Sequence, residues 1–154
     1  MNAPALGVSR QPPDSETAQQ LLRELDEELA SRYPSAAIHG LHPGEADDPR
    51  LIFLVAELGS DPVGCGALRS LDAATAEIKR MFVRSAYRGQ GIARTILLAL
   101  ESEAREAGYK KLWLETGSRQ PEAIELYRTA DYVPRAPYGE YVGNPYSVCM
   151  EKEL

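Results

Sequence analysis

The chain has 154 residues, of which 44% are hydrophobic and 26% charged, and its formal net charge is −6. This composition is typical of a folded domain and excludes an intrinsically disordered chain. The acidic balance argues against a general nucleic-acid binder, which needs a basic face. The length predicts one domain, spanning residues 1–154, with a single sizeable core.

The N-terminus and the cysteines indicate the compartment. Residues 1–4 carry neither a basic segment nor an apolar run, so we expect no signal peptide. No apolar stretch reaches the length of a membrane span, and we expect a cytoplasmic protein without membrane contact. Cys65 and Cys149 both lie in apolar, strand-like segments and are predicted to be buried free thiols rather than a disulfide or a metal pair.

The first 50 residues predict one helix between two less regular segments. Residues 1–13 contain three prolines and are expected to be flexible or to form a short first strand near 6–9. Leucines then recur at helical spacing after a possible cap at Asp14 or Ser15, and the helix should end before Pro34. Residues 35–50 form a long loop, which is either a substrate-facing lid or a variable surface connection.

Strand patterns dominate the middle of the chain. The turn at 59–62 joins two apolar runs into a predicted antiparallel hairpin, and a third strand follows. The predicted strands are Leu51–Glu57, Val63–Leu68 and Ala76–Val83.

Helices and strands alternate in the second half. A glycine-rich turn leads into a helix that ends at Gly108, and Gln120-Pro121 begins a second helix. Strand patterns are found at Leu112–Thr116, at 132–133 and at Ser147–Lys152. The order predicts an α/β fold, a mixed sheet with helices on its faces.

The glycine-rich turn at Val83–Ala93 predicts an anion site. A turn between a strand and a helix leaves backbone N–H groups without partners at the positive end of the helix dipole. A nucleotide-triphosphate loop would need Gly-Lys-Ser/Thr, which the chain lacks. A dinucleotide fingerprint would need Gly or Ala where Arg94 stands.

The same stretch resembles the GCN5-related N-acetyltransferases. Arg88-Gly89-Gln90-Gly91-Ile92-Ala93 is similar to the family pattern Gln/Arg-x-x-Gly-x-Gly/Ala. The likeness extends to the strand end before it (Met81, Val83) and to a later segment with Gln120, Ala123 and Tyr127. The resemblance implies a mostly antiparallel mixed sheet of about six or seven strands flanked by about four helices.

The resemblance also implies acetyl-CoA as acyl donor, with no metal. The pyrophosphate would lie on backbone amides of the motif, and Arg88 would be a phosphate partner. The backbones of Met81, Phe82 and Val83 would bind the acetyl carbonyl and the pantetheine arm, and the amide of Gln120 would lie near that arm. The residues thereby implied in donor binding are Met81, Phe82, Val83, Arg88, Gly89, Gln90, Gly91, Ile92, Ala93, Gln120 and Tyr127.

Amine acetylation needs a neutral amine and a proton for the leaving thiolate. Tyr127 matches the family's tyrosine acid, and a phenol is protonated at neutral pH; the alternative is a core aromatic. Glu77 matches a catalytic glutamate of the family. It shares strand parity with Lys79, Met81 and Val83, so all four side chains should leave the same face unless a bulge intervenes. The alternative for Glu77 is a solvated carboxylate. Glu115 is the second candidate base.

The acceptor side is predicted less sharply. Glu115, at the end of a strand, and the loop residues Tyr138, Glu140 and Tyr141 are expected to edge an acceptor pocket. The alternative for the three loop residues is a surface loop with incidental aromatics. His39 and His42 lack the spacing of a metal site. We expect transfer to a primary amine of a small molecule by direct attack in a ternary complex. A protein lysine or N-terminus as acceptor, or a non-catalytic CoA-binding module, are the alternatives, and a homodimer is possible.

Overall fold

Seven strands form one mixed sheet in the computed structural model, which describes residues 4–41 and 44–154. The strands are β1 Leu6–Arg10, β2 Ile52–Leu58, β3 Asp61–Ser70, β4 Thr75–Val83, β5 Lys111–Gly117, β6 Val133–Arg135 and β7 Ser147–Glu153. Their order is β1-β2-β3-β4-β5-β7-β6, and only β4 and β5 run parallel. The predicted mixed, mostly antiparallel sheet is therefore confirmed, including its first strand.

Three α-helices pack on the sheet: α1 Glu16–Arg32, α2 Ile92–Glu106 and α3 Pro121–Thr129. The described residues thus hold one α-helix fewer than predicted, and several single 3-10 turns in the loops. Ser15 is the cap of α1, since its Oγ accepts a hydrogen bond from the Ala18 amide at 3.1 Å. No helix in residues 4–41 or 44–154 has the length and apolarity to cross a membrane.

Both faces of the sheet are covered. Alternate residues of β2 enter opposite cores: Leu54 packs with α2, whereas Phe53 and Val55 pack with α1. This arrangement explains why β2 is continuously apolar rather than alternating. Cys65 and Cys149 are buried free thiols, as predicted. Burial raises the pKa of Cys65 to about 12, which keeps it as an unreactive thiol.

The sheet opens between its two parallel strands. The pairing of β4 with β5 ends at Ile78 and Leu114, although both strands continue. At the same point β4 carries a bulge, where Arg80 adopts a left-handed φ of 59° and two residues oppose Gly66 of β3. The bulge reverses the strand's parity. Glu77 and Lys79 precede the bulge and share a face, whereas Met81 and Val83 pack on the other face, below α2. The common face expected for all four residues is therefore interrupted by the bulge.

Close backbone contact between β3 and β4 requires glycine. A Cβ built on Gly64 would lie 2.6 Å from the carbonyl oxygen of Phe82, which a backbone atom cannot easily evade. We expect Gly64→Ala to lower the free energy of unfolding by about 1–3 kcal/mol in denaturant titrations. Gly7→Ala in β1 is the control, because its Cβ would meet no atom within 4 Å. Equal stabilities of the two variants would contradict the predicted clash.

Candidate active site

A cleft of about 390 Å³ occupies the opening between β4 and β5. It extends from the glycine-rich turn, along the free edge of β4, to the loop that follows α1. Most of the predicted donor-binding residues line it together: Met81, Phe82, Val83, Arg88, Gly89, Gly91, Ile92, Ala93, Gln120 and Tyr127. Gln90 belongs to the same turn but is not among the lining residues.

The turn before α2 presents unpaired backbone donors. Gly89 and Gly91 adopt φ values of 81° and 79°, and α2 begins at Ile92 without a side-chain cap. Among the described residues, no protein acceptor receives a hydrogen bond from the amides of 89–94. A helix N-terminus with free amides is suited to bind a phosphate group.

The side chain of Arg88, which was predicted to be a phosphate partner, is bound to protein groups in this structure. Its Nε donates to the Val83 carbonyl at 2.8 Å, and its guanidinium forms an ion pair with Glu28 at 2.8 Å. The guanidinium also lies 5.7 Å from the centroid of the Phe82 ring. Arg88 therefore ties the turn to α1, and the backbone amides are the donors available to an anion.

We call the turn before α2, with its free backbone amides at 89–94, the anion cradle. The two ends of α2 provide a matched test of it. Gly91 and Gly108 both have positive φ, and a Cβ at either would meet no atom within 4 Å. Alanine at each should destabilise the fold by about 1–2 kcal/mol through the left-handed backbone. Only Gly91→Ala should also raise the KM for acetyl-CoA, by about tenfold, because the amides that face the anion are re-oriented. Equal KM values for the two variants would contradict the cradle.

Tyr127 enters the cleft from α3. The residue is 5% exposed, and its ring packs edge-on against Tyr132 at 5.7 Å. No hydrogen bond joins its hydroxyl to another described residue. Burial, and to a lesser extent the charge of Glu115, raise the pKa of Tyr127. The phenol therefore remains protonated at neutral pH and can donate a proton inside the cleft.

Glu115 reaches the cleft from β5, at the first position beyond the part of that strand that pairs with β4. Ser147 donates a hydrogen bond to its Oε2 at 2.6 Å. Burial raises the pKa of Glu115 to about 7, and the nearby Glu77 carboxylate adds to the shift. A carboxyl group that titrates near neutral pH can both accept and release a proton.

Glu77 lies in a separate buried cluster. It is 0% exposed, is not a lining residue of the cleft, and accepts hydrogen bonds from Arg69 Nε at 3.1 Å and Tyr138 Oη at 2.5 Å. Tyr141 also hydrogen-bonds to it. Arg69 further pairs with Glu45 at 3.0 Å. This carboxylate is thus bound on several sides, unlike that of Glu115.

The C-terminal loop lines the cleft with Tyr146, whereas the predicted acceptor residues Tyr138, Glu140 and Tyr141 are not lining residues. Tyr138 and Tyr141 stack edge-on at 5.1 Å and turn their hydroxyls towards Glu77. Glu140 pairs with His39 Nδ1 at 3.5 Å and with Lys79 Nζ at 3.9 Å. His39 and Lys79 do line the cleft.

The loop after α1 covers part of this end of the cleft. Ala37, Ile38 and His39 line it, as expected of a substrate-facing segment. His42 lies outside the described residues. Within the described residues, no group of three or more His, Cys, Asp or Glu side chains could hold a metal ion.

Two residues that line the cleft, Tyr33 and Lys79, were not among the site residues predicted from the sequence. Lys79 carried one signal, a lysine at an inward position of an apolar strand. Tyr33 had none, because its role depends on contact between the end of α1 and the turn before α3. Its hydroxyl accepts a hydrogen bond from the Arg119 amide at 3.0 Å and donates one to Gln120 Oε1 at 3.3 Å. Tyr33 thereby fixes the amide of Gln120.

Comparison with known proteins agrees with this geometry. A model described as the acetyltransferase (GNAT) family matches residues 16–132. A relative from Azospirillum brasilense named IAA acetyltransferase is 40% identical over 152 residues, covering 98% of this chain and 99% of the relative.

Solved structures share the fold. One from Klebsiella pneumoniae subsp. pneumoniae, assigned as an acyl-CoA N-acyltransferase, is 31% identical with a TM-score of 0.81, and the match covers 97% of each chain. A GNAT family acetyltransferase from Elizabethkingia anophelis with acetyl-CoA bound is 19% identical with a TM-score of 0.70, over 97% of this chain and 98% of that one. At that identity the likeness shows the fold alone.

Proposed function

The chain belongs to the acetyltransferase (GNAT) family, whose acyl donor is acetyl-CoA, and from this premise we propose that it acetylates a primary amine of a small molecule by direct attack in a ternary complex. The single observation that carries the proposal is the continuous cleft, which joins the free amides of the turn before α2 to Tyr127 and Glu115. Anion cradle, proton donor and proton acceptor thus lie along one path.

The donor fits the residues of the cleft. The free amides of 89–94 suit a pyrophosphate, and the unpaired edge of β4 from residue 79 to 83 offers backbone groups to an extended arm. Gln120 and Tyr33 border the same path. When bound, the donor supplies a thioester, which has an electrophilic carbonyl and a thiolate leaving group.

Tyr127 is the proposed general acid. Its unpartnered hydroxyl faces the interior of the cleft and is protonated throughout the neutral range. Because the leaving group is a thiolate, a nearby phenol can protonate it as the carbon–sulfur bond breaks.

Glu115 is the proposed general base, in preference to Glu77. Both were candidates from the sequence, but only Glu115 lines the cleft. The carboxylate of Glu77 already accepts hydrogen bonds from Arg69, Tyr138 and Tyr141. Glu115 can take a proton from the incoming ammonium, directly or through a water. Glu77 then supports the site through its charge, and through the tyrosines that it anchors.

The acceptor is proposed to be a small molecule because the loop after α1 and the turn at 139–141 approach the same end of the cleft. IAA is a second candidate acceptor, since a relative that bears its name is 40% identical over nearly the whole chain. Cys65 and Cys149 are not proposed as acetyl carriers, because both are buried and burial raises the pKa of each. Two reduced thiols are compatible with a cytoplasmic setting.

A thermal-shift screen tests the donor first. Acetyl-CoA and CoA should raise Tm by an amount that grows with the logarithm of their concentration above Kd, whereas NADH should not, because a ligand stabilises only the state that it binds. Amines, IAA and lysine-containing peptides are then added with acetyl-CoA, and release of the free thiol is followed. Absence of any shift with CoA would contradict the donor site. Transfer to peptides alone would replace the small-molecule acceptor by a protein, and stabilisation without any transfer would indicate a binding module.

A further inference from the structure

A buried lysine lies at the acceptor end of the cleft. The side chain of Lys79 is 3% exposed, yet the residue lines the cleft wall. It belongs to the part of β4 that precedes the bulge, so its side chain leaves the sheet on the same face as Glu77. A buried ammonium is costly unless an anion or several hydrogen bonds compensate its lost hydration.

The protein supplies little of that compensation. Lys79 Nζ donates one hydrogen bond to the neutral carbonyl of Gly40 at 2.8 Å. Its ion pair with Glu140 measures 3.9 Å, which is longer than a hydrogen bond, and Glu140 is shared with His39. An ammonium has three donors, so at least one donor of Lys79 remains for a ligand in the cleft.

The neighbouring strand places an opposite charge beside it. Lys79 follows Ile78 and Glu115 follows Leu114, which form the last paired position of β4 and β5. Paired strands lie about 5 Å apart, and one residue beyond the last pair Lys79 and Glu115 leave the sheet on the same face, where the charge of Lys79 opposes the rise in the pKa of Glu115. No ion pair joins Lys79 to Glu115 among the described residues. The two groups therefore stand side by side, each able to receive a separate group of a ligand.

We propose that the acceptor is an α-aminocarboxylate, bound with its amine at Glu115 and its carboxylate at Lys79. This inference rests on the proposed function and specifies its substrate class. In an α-amino acid the ammonium and the carboxylate are attached to one carbon, which matches opposite charges on adjacent strands. His39, whose Nδ1 faces Glu140, borders the same position and leaves its other ring nitrogen for a second contact.

The test compares each amino acid with its own carboxamide. Thiol release from saturating acetyl-CoA is measured with a panel of L-α-amino acids and the matching amino acid amides, which keep the amine and the side chain but lose the negative charge. The acids should have a kcat/KM at least about tenfold higher, because in the amides a neutral carbonyl replaces the carboxylate that pairs with the buried ammonium. Amides bear the less basic amine, so amine reactivity alone would give the opposite preference.

Lys79→Met tests the residue itself. It should reduce the acid-to-amide ratio to one or below, because only the opposite preference of amine reactivity is left, while acetyl-CoA still raises Tm as in the unmodified protein. Lys111→Met is the matched control, because this lysine is exposed at the far end of β5, and it should keep the full ratio. Lys79→Gln provides the same comparison if the methionine variant does not fold.

Each result bears on the inference separately from the enzyme's general activity. Transfer to acids and amides with equal kcat/KM would overturn the α-aminocarboxylate and leave the N-acetyltransferase proposal intact. A preference for acids that persists in both Lys79 variants would overturn the role of Lys79. If no amino acid is acetylated, and none raises the Tm of the CoA complex, the substrate class is wrong, whatever the CoA shift shows.

Discussion

Replacing Tyr127 by phenylalanine should lower kcat about 100-fold, which is the size expected when a general acid is removed. The change deletes only the hydroxyl, for which the described residues provide no hydrogen-bond partner, so the fold loses little. The edge-on ring contact with Tyr132 remains. KM for acetyl-CoA should stay within about threefold, because the hydroxyl acts on the leaving group and not on the bound arm.

Tyr109→Phe is the control for this substitution. Tyr109 is a partly buried tyrosine that packs on the same core as Tyr127 but does not line the cleft. Its variant should turn over at the rate of the unmodified enzyme. If Tyr127→Phe keeps its kcat within about threefold of that rate, the phenol is not the proton donor.

Replacing Glu115 by glutamine should have a comparable effect, about 100-fold on kcat/KM at neutral pH and above. The base acts only when ionised, and its pKa is about 7. The ratio of the kcat/KM of the unmodified enzyme to that of the variant should therefore rise about tenfold per pH unit below 7 and level off above it. Ionisation of the amine affects both enzymes equally and cancels in this ratio.

The same substitution should stabilise the fold at alkaline pH. The ordinary pKa of a glutamate is 4.5, and burial first, then the Glu77 charge, raise that of Glu115 to about 7. Between these values the folded state binds the extra proton, so the free energy of unfolding falls as pH rises and has lost on the order of 3 kcal/mol above pH 7. Glu115→Gln removes this loss: its Tm should exceed that of the unmodified protein at about pH 8 and match it at about pH 4.

Two outcomes would contradict the assignment of Glu115. A ratio of kcat/KM that does not change with pH would show that the carboxylate is not the base. Glu77→Gln serves as the comparison, because Glu77 is fully buried with several partners and does not line the cleft. If Glu77→Gln reproduces the pH-dependent ratio and Glu115→Gln does not, the base is Glu77.

The order of elements was predictable because local patterns dominate it. The alternation between helical spacing in 16–32 and apolar runs in β2 and β3 follows from which face each element buries. The short strand β6 at Val133–Arg135 carries a weak pattern, and it forms because β7 provides a partner. The sequence could not predict which face of the sheet each residue of β4 occupies, because the left-handed backbone at Arg80 is not marked by a glycine.

The candidate site likewise has one part that the local sequence predicts and another that depends on contacts between distant residues. The turn with free amides before α2 is a local feature, and the spacing of Gly89 and Gly91 was enough to predict it. The choice between Glu77 and Glu115 depends on which carboxylate the tyrosines of the C-terminal loop engage, a contact between residues 61 positions apart. Lys79, likewise, is notable only because its ammonium is buried beside a carboxylate of the neighbouring strand.

One measurement tests the central claim most directly: release of the CoA thiol from acetyl-CoA, followed with and without a panel of small amines, with the product identified by mass. The proposed mechanism predicts thiol release that depends on the amine and appears with an equal amount of the N-acetylated amine, and no acetyl group on the protein when the amine is omitted. Transfer of the acetyl group to the protein before the amine is added, or release that no amine accelerates, would contradict direct attack within the cleft.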